Sequence, residues 1–334
     1  MGTVSILLLW VALNANDLQS LRDVPLSKPS WLGPLKPLPY ETYIGVDPAT
    51  GEEIRQDPKP SIKFDPEKIE YTAKWSVGLD KETSMVWVPS VNLDVTVAAR
   101  VERHGDNYLF VYTLQNHPNS VQTMQRFILS CPSEVIRADA PEGSWSKTPS
   151  NSLWKEKWYF WMHSFPPYGI APGSNQTGFS VTSPGWPGIV KCHARGNAPV
   201  TKIEHEPPAT ISGALPRHML QDSLVGQTVG PMPIPAKTTE AINFVLNDLM
   251  ECNDAASKWG WATDEAAAEL KLQVDALTKA VQEDVPSNAL AALADLAKAV
   301  DALEAKEIIT NEVVSVYEAR VDWLKAYYEG AGKP

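Results

Sequence analysis

The chain reads as a multidomain all-β plus all-α protein, an antiparallel β-sandwich followed by a short antiparallel helical bundle. Three observations predict this. Of 28 prolines, 26 precede Ala236, and 9 of 12 tryptophans precede it too. Near that residue the hydrophobic period changes from two to between three and four. The 334 residues, 43% of them hydrophobic, suffice for two domains with real cores.

The β part is clearest at Tyr108 to Cys131, YLFVYTLQNHPNSVQTMQRFILSC. Two alternating arms of β-branched and aromatic residues flank the polar turn NHPNS, which suggests a hairpin. Upstream, IEYTAKWSV (69–77), MVWVP (85–89) and VNLDVTVAARV (91–101) read as further strands. Downstream, KWYFWMHS (157–164), GFSVTS (178–183) and IVKCHA (189–194) do the same, set off by turns at APGS and PGWPG. In each turn proline restrains φ and glycine supplies the uncommon backbone angles. Strands with one apolar and one polar face need a partner sheet, hence a sandwich over 64–203.

The flanks of the sandwich are proline-rich. Residues 16–63 form an arm whose dense prolines oppose regular helix or sheet, and 204–235 form a linker. Trp31, Leu35, Leu38 and Tyr40 have the spacing of an arm tied to its own protein; a polyproline partner motif is the alternative. Residues 1–15 include VSILLLWVAL, about the length of a signal-peptide core. It lacks a basic n-region and has Leu13 at a poor cleavage position, so it reads as an incomplete export signal, with an ordinary buried or disordered N-terminus as the alternative.

Residues 236–330 hold three to four helices. Thr238 or Thr239 caps the first, with Ile242, Val245, Leu246 and Leu249 on its apolar face. Thr263 caps the second, whose stripe is Ala267, Leu270, Val274, Leu277 and Val281. Ser287 is the expected cap of a third, with Leu290, Leu293, Leu296, Val300 and Leu303 aligned. A fourth, roughly 310–328, aligns Val313, Val314, Tyr317, Val321, Leu324 and Tyr328. Short links between them predict antiparallel neighbours.

Charge narrows the function classes. The net charge is −11, and Ala236 to Gly330 alone has 18 acidic against 8 basic residues. That balance disfavours a nucleic-acid partner. The apolar N-terminal run is too short for a transmembrane helix, so no integral membrane segment is expected. No phosphate loop, dinucleotide fingerprint, CxxC, HExxH, GxSxG or EF-hand spacing is present. No catalytic residue, metal site or cofactor is therefore assigned. His163, Cys192, His193 and His205 lack compact ligand spacing, and adjacent strand residues Cys192 and His193 face opposite ways. Glu134, Asp139 and Glu142 lie near tryptophans but nothing makes them a facing pair.

The aromatic cluster admits two roles. Trp145, Trp154, Trp158 and Trp186 are candidate ligand-binding rings that could stack on a glycan, or else core and interdomain packing. Cys131 and Cys192 form a possible disulfide, which would leave Cys252 over, or else are separate buried thiols. Asn175-Gln176-Thr177 matches the N-glycosylation pattern.

YLFVYTLQNHPNSVQTMQRFIL with APGSNQTGFSVTSPGWPGIV, and the later IITNEVVSVYEARVDWL, resemble poorly characterised secreted bacterial proteins. Those have a β-sandwich-like domain and a small C-terminal helical region. The resemblance covers roughly 70–330 and implies an architecture, not a reaction. The expectation is a non-catalytic extracellular or cell-surface structural or adhesion protein. Its partners would be other copies or another extracellular protein, with the proline-rich arm completing a sheet edge. A carbohydrate-binding module and a hydrolase with a site hidden in sequence are the alternatives.

Overall fold

The computed structural model describes residues 24–36, 44–46, 49–51, 53–55, 60–76, 82–150, 157–165, 168–198, 205–207, 209–215 and 221–331. The proposed export signal lies outside them. The strands, in chain order, begin with β1 (Val24–Pro25), β2 (Ile44–Val46), β3 (Glu53–Arg55), β4 (Ser61–Asp65), β5 (Glu70–Ser76) and β6 (Glu82–Trp87). Next come β7 (Val95–His104), β8 (Asn107–Asn116), β9 (Met124–Ser130), β10 (Arg137–Asp139) and β11 (Trp145–Ser150). After β12 (Trp158–His163), β13 (Ser174–Ser183) and β14 (Trp186–Gly196) come helix α1 (Ala209–Ala214) and β15 (Leu224–Met232). Helices α2 (Thr239–Trp259), α3 (Asp264–Gln282), α4 (Pro286–Glu304) and α5 (Asn311–Ala331) complete the chain.

Two five-stranded antiparallel sheets, β1-β7-β8-β13-β10 and β11-β12-β9-β14-β15, enclose one core. Phe110, Tyr112, Leu114 and Phe179 enter it from the first sheet, and Phe127, Leu129, Trp161 and Cys192 from the second. The strand-like arms around NHPNS are β8 and β9, but they lie in different sheets. The expected hairpin is thus a crossing between sheets. Asn116 explains why. Its buried amide donates to the carbonyls of Gln122 and Ile170, turning the chain out of the first sheet.

Both flanks of the sandwich are closed. On one, β1 pairs with β7 while Ser27 exchanges backbone hydrogen bonds of 2.8 and 2.9 Å with Val225 of β15. Leu26 between them is buried and fits over Gly226, where an added Cβ would lie 3.0 Å from Leu26 Cγ. On the other flank, Lys147 of β11 reaches the carbonyl of Ala138 and Asp139 Oδ1 (3.2 Å) on β10.

Two sequence boundaries shift. IEYTAKWSV and MVWVP belong to a separate three-stranded sheet, β4-β5-β6, and not to the sandwich. Its small core of Tyr71, Ala73, Trp75 and Met85 receives Ile211 and Leu215 from α1 and its end. Trp31 stacks on Trp87 at 5.8 Å, and Tyr71 donates to the Gly33 carbonyl at 2.8 Å. The described part of the arm at 29–35 is therefore bound to its own protein. The linker assigned to 204–235 contains α1 and the nine-residue strand β15, which pairs with β14 along its length. Its glycines and prolines hid a strand that must lie very close to its neighbours. At Gly230 a Cβ would come within 2.5 Å of Val190.

The helices follow the sequence pattern closely. Thr238 and Thr263 cap α2 and α3 by accepting from the Ala241 and Ala266 amides. The third helix differs: it starts at Pro286, whose missing N–H suits the first position, and its N-cap is Val285, a side chain with no oxygen to accept a hydrogen bond, so Ser287 lies inside the helix and does not cap it. In the bundle α2 packs on α3, α3 on α4, α4 on α5 and α5 on α2. A β-bridge between Ala262 and Ile309 ties two connections together at one end.

Helix α5 joins bundle to sandwich. Part of β7 beyond β1 would be a bare edge. Instead Ala99 and Val101 donate their amides to Glu312 (3.0 Å) and Asn311 (2.7 Å) at the start of α5. Farther along, buried Arg320 donates through Nε to Asp248 of α2 (2.6 Å) and through Nη1 to the Pro187 carbonyl of β14. Its guanidinium lies 4.2 Å from the Trp186 ring. Gly188 permits this approach, since a Cβ there would lie 3.0 Å from Arg320 Nη2 and 2.6 Å from Met232 Cγ.

Removing one member of a buried ion pair strands the other charge, at a cost of about 3–5 kcal/mol. Arg320→Leu is expected to lower stability by that order, and Asn311→Ala by about 1–3 kcal/mol. Urea unfolding followed by circular dichroism measures both. Arg320→Leu unfolding at the wild-type midpoint would contradict the role given to the pair.

Candidate functional site

The residues singled out in the sequence do not converge. Trp158 is 4% and Trp186 is 2% exposed, so neither offers a free face for stacking on a sugar. Trp186 lies under Arg320 and edge-on to Trp323, at the sandwich–bundle junction. Trp158 meets the His193 ring edge-on at 5.3 Å. Trp145 is half-buried between His163 and Phe179, with centroids 5.3 and 4.8 Å away. Trp154 lies outside the described residues. Asn175 is exposed on β13, opposite Gln115 of β8.

Of the two readings of Cys131 and Cys192, a disulfide or separate buried thiols, the structure has the second: both are free and buried, as is Cys252. The ladder gives the reason. Cys192 of β14 pairs with Leu129 of β9, and Cys131 comes two residues later. Such diagonal positions are separated by about 7 Å, against the roughly 4 Å between Cβ atoms in a disulfide. Burial pushes all three thiols up, Cys252 to about 12. Thiol reagents should label none of the three in the native protein and all three in unreduced, denatured protein. A count of one after denaturation would restore the bridge.

The titratable candidates are scattered as well. Among the described residues no group of three or more His, Cys, Asp or Glu side chains could hold a metal ion. Asp139 is engaged by Arg137 (2.7 Å) and Lys147 (3.2 Å). Buried His193 shares a 2.9 Å hydrogen bond with Ser223. Between the end of β7 and helices α4 and α5 lies a cleft of about 240 Å³ bearing Arg103, Asp301, Glu318 and Asp322. Burial and the neighbouring Glu304, Asp322 and Asp301 raise the Glu318 pKa, while Arg103 opposes this.

A second cleft, of about 550 Å³, opens beside β9 and β14. Its walls include Gln125, Arg126, Tyr168, Arg195 and Asn197. Arg126 and Arg195 are direct cross-strand partners. They alternate with Phe127 and Ala194 of the core, so they occupy the outward face of the sheet. Arg195 Nη2 donates to Asp222 Oδ2 at 2.8 Å, and the Ser90 amide donates to Oδ1 at 2.7 Å. Asp222 itself is buried. Burial, then the facing Arg195 charge, lowers the Arg126 pKa. Gly196 lets Gln122 close the back of this corner, since a Cβ there would meet Gln122 Oε1 at 2.4 Å. No local motif marks this site. MQRF and HARG each hold one ordinary arginine, and only strand register puts them opposite each other.

No protein-family model and no curated protein matches the chain. A solved structure described as an uncharacterised protein from Nocardia farcinica with an immunoglobulin-like fold is similar at 13% identity. The match covers 40% of this chain and 98% of that one, with a TM-score of 0.24. It is a weak, partial likeness and contains nothing about secretion. Among the described residues no helix is long and apolar enough to cross a membrane.

His193 supplies a pH prediction. Burial, then the nearby Lys191 charge, lowers its pKa from 6.5 to about 4. Between those values the unfolded chain binds the proton that the folded chain excludes. The contribution is intact above about pH 6.5 and is lost as pH falls towards 4, on the order of 3 kcal/mol in full. Melting temperature against pH should fall less steeply in His193→Gln across this window. Parallel curves would show that His193 does not titrate there.

Proposed function

We propose that this is a non-catalytic structural protein of the cell surface or extracellular space that assembles with other copies of itself. The observation that carries this reading is the seam at Val24 to Ser27. That short segment hydrogen-bonds to an edge of each sandwich sheet, with Leu26 as an apolar peg over Gly226. The same bonds could be made by the arm of a neighbouring copy, because strand addition uses backbone groups and one or two side-chain pockets. Arm exchange would link copies without creating new contacts.

The buried polar groups support a structural role. Asp222, Glu312 and Arg320 hold backbone groups at strand edges and at the helix junction, and His193 is engaged with the Ser223 hydroxyl. Burial of Trp158 and Trp186 weighs against a glycan platform, and the ion-paired Asp139 against a facing acid pair.

Light scattering on the full chain, over a range of concentrations, tests the assembly. Dimers or larger species are expected, and Leu26→Asp should shift them towards monomer. A strict monomer at high concentration would sink the proposal. Protease accessibility on intact host cells tests the location, with an intracellular, protected chain as the opposing result.

A further inference from the structure

We propose that the small sheet β4-β5-β6 is a receptor for a proline-rich peptide, and that in the assembly it holds residues 28–36 from the arm of a second copy. Its partner follows from the arm exchange proposed above. To the backbone seam at Val24 to Ser27 the receptor adds a second contact, one that is selective for side chains.

The chain's own arm occupies the receptor and shows what it fits. From Lys28 to Lys36 the arm belongs to no strand. The Leu32 amide donates to the Pro29 carbonyl at 3.1 Å, closing a turn that presents Trp31. The Trp31 ring stacks on Trp87 at 5.8 Å and lies 6.4 Å from Tyr71. Its Nε1 donates to the Gln221 carbonyl at 2.8 Å. The Tyr71 hydroxyl accepts from the Gly33 amide (3.1 Å) and donates to the Gly33 carbonyl (2.8 Å), clasping one residue of the arm from both sides. Leu35 adds a further apolar anchor.

These contacts are those of a ligand on a surface. Among the described residues no arm residue belongs to the buried core of the small sheet, where Ala73, Trp75 and Met85 meet Ile211 and Leu215. Trp31, Leu35 and Trp87 are only half-buried, and Pro34 and Lys36 are exposed. Aromatic surfaces with a hydroxyl aimed at the backbone are a common means of holding proline-rich segments. Pro29 and Pro34 restrict the free segment, so less freedom is lost when it docks. Tethering gives the chain's own arm a high effective concentration, so weak contacts suffice to fill the receptor. The same weakness lets a neighbour's arm replace it. Leu32 packs against both the sandwich core and the small core, which couples docking on the receptor to docking at the seam.

The probe is a fluorescently labelled peptide of residues 28–36, titrated with full-length chains and followed by anisotropy. In the wild type the tethered arm competes. In full-length Trp31→Ala, whose own arm has lost its main anchor, the peptide should bind saturably and at least about tenfold more tightly than in wild type. Leu35→Ser, a second way to loosen the arm, should act in the same direction. Both substitutions lie outside the buried cores, so the sandwich is expected to stay folded. Adding Tyr71→Phe to the Trp31→Ala chain should weaken peptide binding by about threefold to tenfold, through loss of the Gly33 clasp. A peptide with Trp31→Ala, or one of the same composition in scrambled order, should not bind. Absence of saturable binding to both arm variants would overturn the proposal, as would equal binding of the scrambled peptide or an unchanged affinity in the Tyr71→Phe chain. Peptide binding by a chain that stays a strict monomer would remove the assembly and leave the receptor. Assembly that Leu26→Asp disrupts, with no peptide binding, would remove the receptor and leave the assembly.

Discussion

Arg320 is the interaction on which the whole architecture depends. One buried guanidinium from α5 reaches Asp248 of α2, the carbonyl of Pro187 on β14 and the face of Trp186. A buried charge of this kind is tolerated only where its partners are fixed in advance. The glycine at 188 clears the approach, and the N-terminal end of α5 is held on β7 through Asn311 and Glu312. The bundle therefore covers a sandwich edge and is not suspended from it. That protection matters because an exposed strand edge invites association with any other strand.

The same logic runs around the sandwich. The seam segment closes one flank with backbone hydrogen bonds, and Lys147 clasps the other through β10. Closure by a short, separable arm differs physically from closure by a helix. The helix is anchored by a buried ion pair and a continuous apolar face. The seam at 24–27 has a two-residue strand, one bridge and one buried leucine, and beyond it Trp31 and Gly33 hold the arm on β6 and β5. Of the two closures, the arm is the one that can be exchanged at modest cost.

Outward-facing chemistry is concentrated where strand register, and not composition, brings it. The acidic helices give the protein its negative charge, but the arginine cleft is a separate feature of the second sheet. Tryptophan-rich sequence is compatible with aromatic recognition, whereas the large rings mostly seal interfaces. Trp161, fully buried, even satisfies its indole N–H internally through the Asp139 carbonyl at 2.8 Å. Aromatic density reports packing demand as readily as ligand binding.

Much of the fold was legible in the sequence because its signals are local. Alternation marked β7, β8, β9, β13 and β14, and threonine caps with period-3.6 stripes marked α2 and α3 nearly to the residue. The change of architecture near Ala236 was equally plain. What the sequence left open were the partners. It could not show that β8 and β9 enter opposite sheets, that β5 and β6 leave the sandwich, or that the proline-rich linker contains strand β15. Nor could it show that Cys131 and Cys192 are diagonal and unbonded, or that Arg126 faces Arg195. Each of these is decided by register and by contacts between distant segments. Local periodicity specifies which face of a strand is apolar; only the tertiary structure decides what that face, and its polar reverse, will meet.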